Sequence, residues 1–323
     1  MRRRTQVVLS LVLLLAAVAI GLASSSQHVL TLAIQTMMLA ALALSWNVLG
    51  GYAGQISLGH AAFFGLGALI TRELWLGGNS LPLAILVAVA VTAVVAAIVG
   101  IPMLRLRDIY FAIGTLALGV AVFVTAGNLC PGITSLPAED LREYDFTGRY
   151  FMTLGVFLAA IAVSLWLKNG KVGLGMMAVR EDEEAAGATG VNAFAYKMIA
   201  FVISAALAAL AGSAFAYFSG SYFPNFAFSV FWTFEAILVV FIGGIGTIVG
   251  PILGSAFFVV GRDALPSGIN EFRGALFGAL FIVVVLLLPG GLTEAARRLL
   301  GRASRKSPSP TQKPRTGGRK EPV

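Results

Sequence analysis

The chain lacks most of what a soluble protein carries on its surface. Asp, Glu, Lys and Arg make up 12% of its 323 residues, where a soluble domain has about a quarter. One cysteine, Cys130, excludes an internal disulfide framework and a cysteine-rich metal site. Cys130 itself reads as a small apolar residue. The two histidines, His28 and His60, stand far apart in the chain, and no metal site is expected. No Gly-x-x-x-x-Gly-Lys-Ser/Thr run occurs, so the usual phosphate-cradling loop is missing and no bound cofactor is expected. Nucleic acid is an equally poor fit for the net charge of +8. The segment 301–323 holds seven Lys or Arg against the single acid Glu321, which leaves it six of those eight charges. That segment is rich in Pro, Ser and Gly, the composition of a tail without a packed core.

What is present is apolar sequence, 58% of the chain, with a mean hydropathy of +0.88. A helix needs about 20 apolar residues to cross a bilayer. By that measure candidate spans lie at 7–23, 29–48, 56–76, 81–101, 109–128, 151–167, 198–218, 231–249, 252–260 and 275–288. The fold class is an all-α polytopic membrane protein of about ten helices. The run 252–260 crosses only if it borrows flanking residues; otherwise it is re-entrant, which requires protein or water around it. Residues 1–300 form one membrane domain and 301–323 a basic tail.

Charge sets the orientation. Arg2, Arg3 and Arg4 place the N-terminus inside. Alternation then puts Arg105, Arg107, Lys168, Lys171, Arg180, Lys197 and the tail inside, and the acidic loop 131–150 outside. Both termini are therefore expected in the cytoplasm, at a plasma or inner membrane. The first 25 residues also resemble a secretory signal. Its cleavage would leave nine spans, but no small-x-small cleavage box stands out. The stretches "GGYAGQISLGHAAFF" from Gly50 and "GGIGTIVGPILGSAFF" from Gly243 are alike. An internal duplication and chance in a Gly/Ala/Phe-rich chain both explain that.

One polar interior segment, 170–197, stays on the cytoplasmic side. Residues 176–188 have helical composition, Arg180 and Glu184 stand four apart and can pair on one face, Gly190 stops the helix, and Asn192 can cap the next. Within it "EAAGATG", Glu184 to Gly190, matches the Glu-Ala-Ala-x-x-x-Gly pattern of ABC importer permeases. With "NVLGGYAGQISLGHAAFFGLGA", "LRLRDIYFAIGTLALG", "AVREDEEAAGATGVNAFAYKMIAFVISAALAALAGSAFA" and "EAILVVFIGGIGTIVGPILGSAFF" in the same order, the chain resembles the LivM-type permeases of branched-chain amino acid ABC importers over most of 47–292. The resemblance implies a permease without its own engine. It implies a homologous second permease (LivH-type), two ATP-binding subunits that hydrolyse the ATP, and an extracytoplasmic solute-binding protein. It places the ATPase contact at Arg180, Glu181, Asp182, Glu184, Ala185, Ala186 and Gly190. At "TAGNLCPGITSLP" (125–137) the chain departs from the family's usual Thr-Gly-Gly turn, so the resemblance implies nothing for that external loop.

The glycines repeat in fours: Gly50 with Gly54, Ala61 with Gly65, and Gly246 with Gly250 and Gly254. On helices these make smooth stripes for close packing, and the pairs Gly243–Gly244 and Gly50–Gly51 permit a broken helix. Ser57 and His60, three apart, share a helical face with Gly54 one turn earlier; Gln55 turns somewhat away. Polar groups in hydrocarbon need partners or water. Two readings stand for Gly54, Gln55, Ser57 and His60: a polar translocation path for an amino acid, or interhelical hydrogen bonds that set packing. Glu235 either joins His60 or sits near the external interface. An ion-coupled carrier using His60 and Glu235 is the competing function, though it has no need of the 184–190 pattern. An intramembrane hydrolase built from Ser57, His60 and Glu235 has no nucleophile elbow behind it.

Overall fold

The computed structural model describes residues 26–129, 145–264 and 278–279. The expected span at 7–23, nearly all of that at 275–288, most of the acidic loop and the basic tail lie outside these. The described elements are all helices. In chain order they are α1 Gln27–Trp46, a π-helical turn Asn47–Tyr52, α2 His60–Leu76, α3 Leu81–Met103, α4 Asp108–Leu129, α5 Phe146–Asn169, α6 Lys171–Glu181, α7 Glu183–Ala188, α8 Ala193–Phe218, α9 Pro224–Ala227, α10 Phe231–Gly243 and α11 Val249–Asp263. Five segments are long and apolar enough to span: Gln27–Tyr52, Leu81–Met103, Asp108–Asn128, Phe146–Asn169 and Ala193–Phe218.

Helix α8 is the hub and packs against α1, α2, α3 and α5. Small residues permit this. On α3, Ala84, Ala88, Thr92, Ala96 and Gly100 recur every four residues and are buried, while Leu86, Val94 and Ile98 on its other side are exposed. That is one protein-facing stripe and one lipid-facing stripe on a single helix. Between α2 and α8 the backbones nearly touch: a β-carbon at Gly67 would run into the backbone of Ala209, and one at Gly212 into that of Phe64.

The structure departs from sequence expectation at the breaks. The span expected at 56–76 begins as helix only at His60, so Ser57 lies in the non-helical segment 53–59 and shares no helical face with His60. Gly50 belongs to the π turn, and Gly54, at φ 72°, is off any helix; they form no stripe. Gly65, expected beside Ala61, is on α2 against the Phe228 ring. Helix α10 does not run to Val249. It ends at Gly243, and Gly244 and Gly246 take φ of 117° and 74°, a backbone region open chiefly to glycine. Gly246 therefore sits in the turn, while Gly250 and Gly254 on α11 press against the α10 backbone at Gly243 and Val239. Helix α11 runs from Val249 to Asp263 rather than 252–260 and covers about 22 Å, short of a bilayer core of about 30 Å. The helix expected at 176–188 is two helices, broken at Asp182, whose extended backbone ends α6 while its carboxylate caps α7.

Gly67→Ala or Gly212→Ala should destabilise the solubilised chain by about 1–3 kcal/mol through overpacking, read as a lowered thermal midpoint. Gly155, with open space at its β-carbon position, should accept alanine with no loss.

Candidate functional site

Where the helices stop, side chains take up the backbone hydrogen bonds, and most of these substitutions gather at the end of the bundle that carries α6 and α7. Trp46 Nε1 donates to the Ser57 carbonyl at 2.9 Å. Asn47, 1% exposed, bridges to the α10–α11 turn. Its Oδ1 accepts from Gly246 N at 2.8 Å and its Nδ2 donates to the Thr247 carbonyl at 2.9 Å. Thr247 Oγ1 donates to the Gly244 carbonyl at 2.7 Å and accepts from Gly250 N at 3.1 Å. The start of α2 is held the same way: Leu58 N reaches Thr115 Oγ1 at 3.1 Å and Ala61 N reaches Thr233 Oγ1 at 2.8 Å.

The sequence-expected path residues fall in three places. His60 Nε2 lies 2.9 Å from Ser204 Oγ, and that hydroxyl donates to the Ser45 carbonyl at 2.7 Å. Ser204 therefore accepts from Nε2–H, and a neutral His60 keeps Nδ1 as a bare acceptor. His60 Nδ1 and Ser57 Oγ are buried without a partner among the described residues. Gln55 is elsewhere, with Arg107, Asp108, Asp182, Glu183, Glu184 and Lys197 around an open cavity of about 250 Å³; Gly54, the preceding residue, lies under the Arg180 side chain. Glu235 does not meet His60. Its Oε1 faces Arg262 Nη1 at 3.5 Å, and Arg262 Nη2 donates to Gln35 Oε1 at 2.9 Å. With the His28–Asp263 contact at 3.2 Å, this ties the far ends of α10 and α11 to α1.

The arm 170–197 is built against the bundle. Met176 and Val179 are buried, and Lys197 Nζ reaches Glu183 Oε2 at 2.5 Å. Asp182 Oδ1 accepts from Glu184 N and Ala185 N at 3.0 and 2.9 Å, and Asn192 caps α8 through Ala195 N at 3.1 Å. Glu181, Asp182, Glu184, Ala185 and Gly190 (φ 88°) face outward, and Ala186 is turned in. Arg180 does not pair with Glu184; it donates to the Gly51 carbonyl at 2.5 Å.

A family model described as "Branched-chain amino acid transport system / permease component" matches residues 28–285. The chain belongs to this permease family. The LivM permease of the high-affinity branched-chain amino acid transport system of Salmonella typhimurium is 31% identical over 303 residues, 82% of this chain and 70% of that protein. The LivH permease of the same system is 30% identical over 138 residues, 42% of this chain and 44% of that protein. The autoinducer 2 import system permease LsrC of an Enterobacter species is 29% identical over 235 residues, 68% of this chain and 67% of that protein. No solved structure matches the permease. It is a multi-pass membrane protein by family and by its apolar helices.

Sequence reasoning passed over Asn47 and Arg72. Arg72, fully buried, donates to the Ala216, Ser219 and Gly220 carbonyls at 2.9, 3.0 and 3.2 Å and caps the end of α8. The available signal was a polar residue inside an apolar run, which must find partners.

Asn47→Ala should strand Gly246 N and the Thr247 carbonyl, a cost of about 1–3 kcal/mol for each buried unpaired group. Faster amide exchange over residues 244–250 reads it directly.

Proposed function

We propose that this chain is a transmembrane permease subunit of an ABC importer, moving branched-chain amino acids or related small amino acid and amide solutes across the bacterial inner membrane. The observation that carries the reading is the family match over 28–285, which includes the arm with its Glu184–Gly190 pattern. Similarity to both LivM and LivH supports a heterodimeric permease. In this reading two ATP-binding subunits in trans bind and hydrolyse the ATP, this chain holds no cofactor, and an extracytoplasmic binding protein delivers the solute. The exposed face of α7, with Glu184 and Ala185, meets the ATPase, while Ala186 and Glu183 anchor the helix to the permease. Residues 1–300 form the membrane domain, with about ten spans, both termini in the cytoplasm and the two glycine-paired stretches as the trace of an internal repeat. The tail 301–323 rests near anionic headgroups. Ser57 Oγ and His60 Nδ1, buried without a partner among the described residues, are polar groups left over for a solute when the path opens.

The competing reading, an ion-coupled carrier using His60 and Glu235, gains nothing from the geometry, since His60 is bound to Ser204 and Glu235 to Arg262.

The test is a pull-down of the solubilised chain from its native host. Wild type should bring an ATPase and a second permease with it. Glu184→Arg, which reverses the charge on the exposed face of α7, should lose the ATPase and keep the second permease. A chain that comes out alone in both cases contradicts the importer reading.

A further inference from the structure

Arg180 occupies an unexpected place. The break at Asp182 puts it and Glu184 on separate helices, and its side chain turns back toward the bundle. Three pieces of backbone converge on it. The Gly51 carbonyl, near the end of the π turn, accepts a hydrogen bond from its Nη1. The stem lies over Gly54, where a β-carbon would come within 2.9 Å of Arg180 Cγ. The head lies over Gly246 of the α10–α11 turn, where a β-carbon would be 3.2 Å from Nη1. The first and third of these pieces are already joined by Asn47, through Gly246 N and the Thr247 carbonyl. Both broken-helix turns thus form one unit, and one guanidinium from the arm rests on it.

Helix α6 sits on the bundle through Met176 and Val179, with Gly175 against the Tyr196 ring. A planar guanidinium can hold a carbonyl and lie flat on glycine backbone, which a point-charge ammonium on a thinner stem does not reproduce.

We infer that Arg180 is a positioning residue that links the arm to the paired turns at Gly51–Gly54 and Gly244–Thr247, so that movement of the arm moves the α10–α11 hairpin. Its head holds the Gly51 carbonyl, while the residue as a whole stays exposed. This rests on the importer reading, which supplies the partner that moves the arm.

The experiment uses the assembled complex in native membranes, in a Cys130→Ala background with Ile245→Cys as reporter; Cys130 is the only cysteine, and Ile245 is exposed beside Gly246. The rate of maleimide labelling is measured with and without ATP and orthovanadate, and ATPase retention is checked by pull-down. With Arg180 present, trapping should change the labelling rate severalfold. In Arg180→Gln and Arg180→Lys the ATPase should stay bound and the change should largely disappear. An equal response in Arg180→Gln overturns the inference. Loss of the ATPase from Arg180→Gln also overturns it, by making Arg180 a docking residue. No response in the parent with ATPase bound shows that the hairpin does not follow the arm, and overturns it too. Absence of ATPase from the parent is a different failure: it contradicts the importer reading itself.

Discussion

The helix breaks at Tyr52 and Gly243 obey one constraint: a backbone N–H or C=O buried in hydrocarbon must find a partner within the protein. The cost of leaving one unpaired is several kcal/mol in lipid, more than most single contacts return. The chain breaks its helices at Tyr52 and Gly243, and a side chain stands at each break. Asn47 serves both the π turn and the hairpin turn, Thr247 starts α11, and Trp46, Thr115 and Thr233 hold the approach to α2. Remove these bonds and the irregular segments have no reason to persist at that depth.

The same bonds give the molecule two differently tied ends. At the arm end, the broken turns are joined to each other and touched by Arg180. At the far end, Arg262 links Glu235 of α10 to Gln35 of α1, and Arg72 closes α8. Between them α10 and α11 are short and glycine-packed, with Gly250 and Gly254 against the α10 backbone. A short hairpin held by polar contacts at its ends and smooth surfaces along its length suits a part that shifts as a unit.

The helices were the most legible part of the sequence. The bounds read for α3 and α4 fall within about two residues of those found, because a long apolar run leaves few choices. The breaks were less legible. Ser57 and His60 looked like one helical face because spacing alone cannot tell a helix from an extended turn beside its start. Asp182 read as one charge in a helical run; its role as a cap depends on a backbone angle that composition does not report. Glu235 read as joining His60 or sitting near the external interface; the partner it meets, Arg262, lies 27 residues away on the returning helix. Asn47 was hidden by its surroundings, a single amide in apolar sequence whose partners stand about 200 positions later.

We propose that this chain is a passage driven from outside itself through its arm. Uptake of labelled L-leucine into proteoliposomes holding the purified assembly, with the solute-binding protein added outside, tests it most directly. Accumulation is expected only when ATP is enclosed with the ATPase subunits, and none with a proton gradient alone. Accumulation by this chain alone, driven by a proton gradient without ATPase or nucleotide, would contradict it.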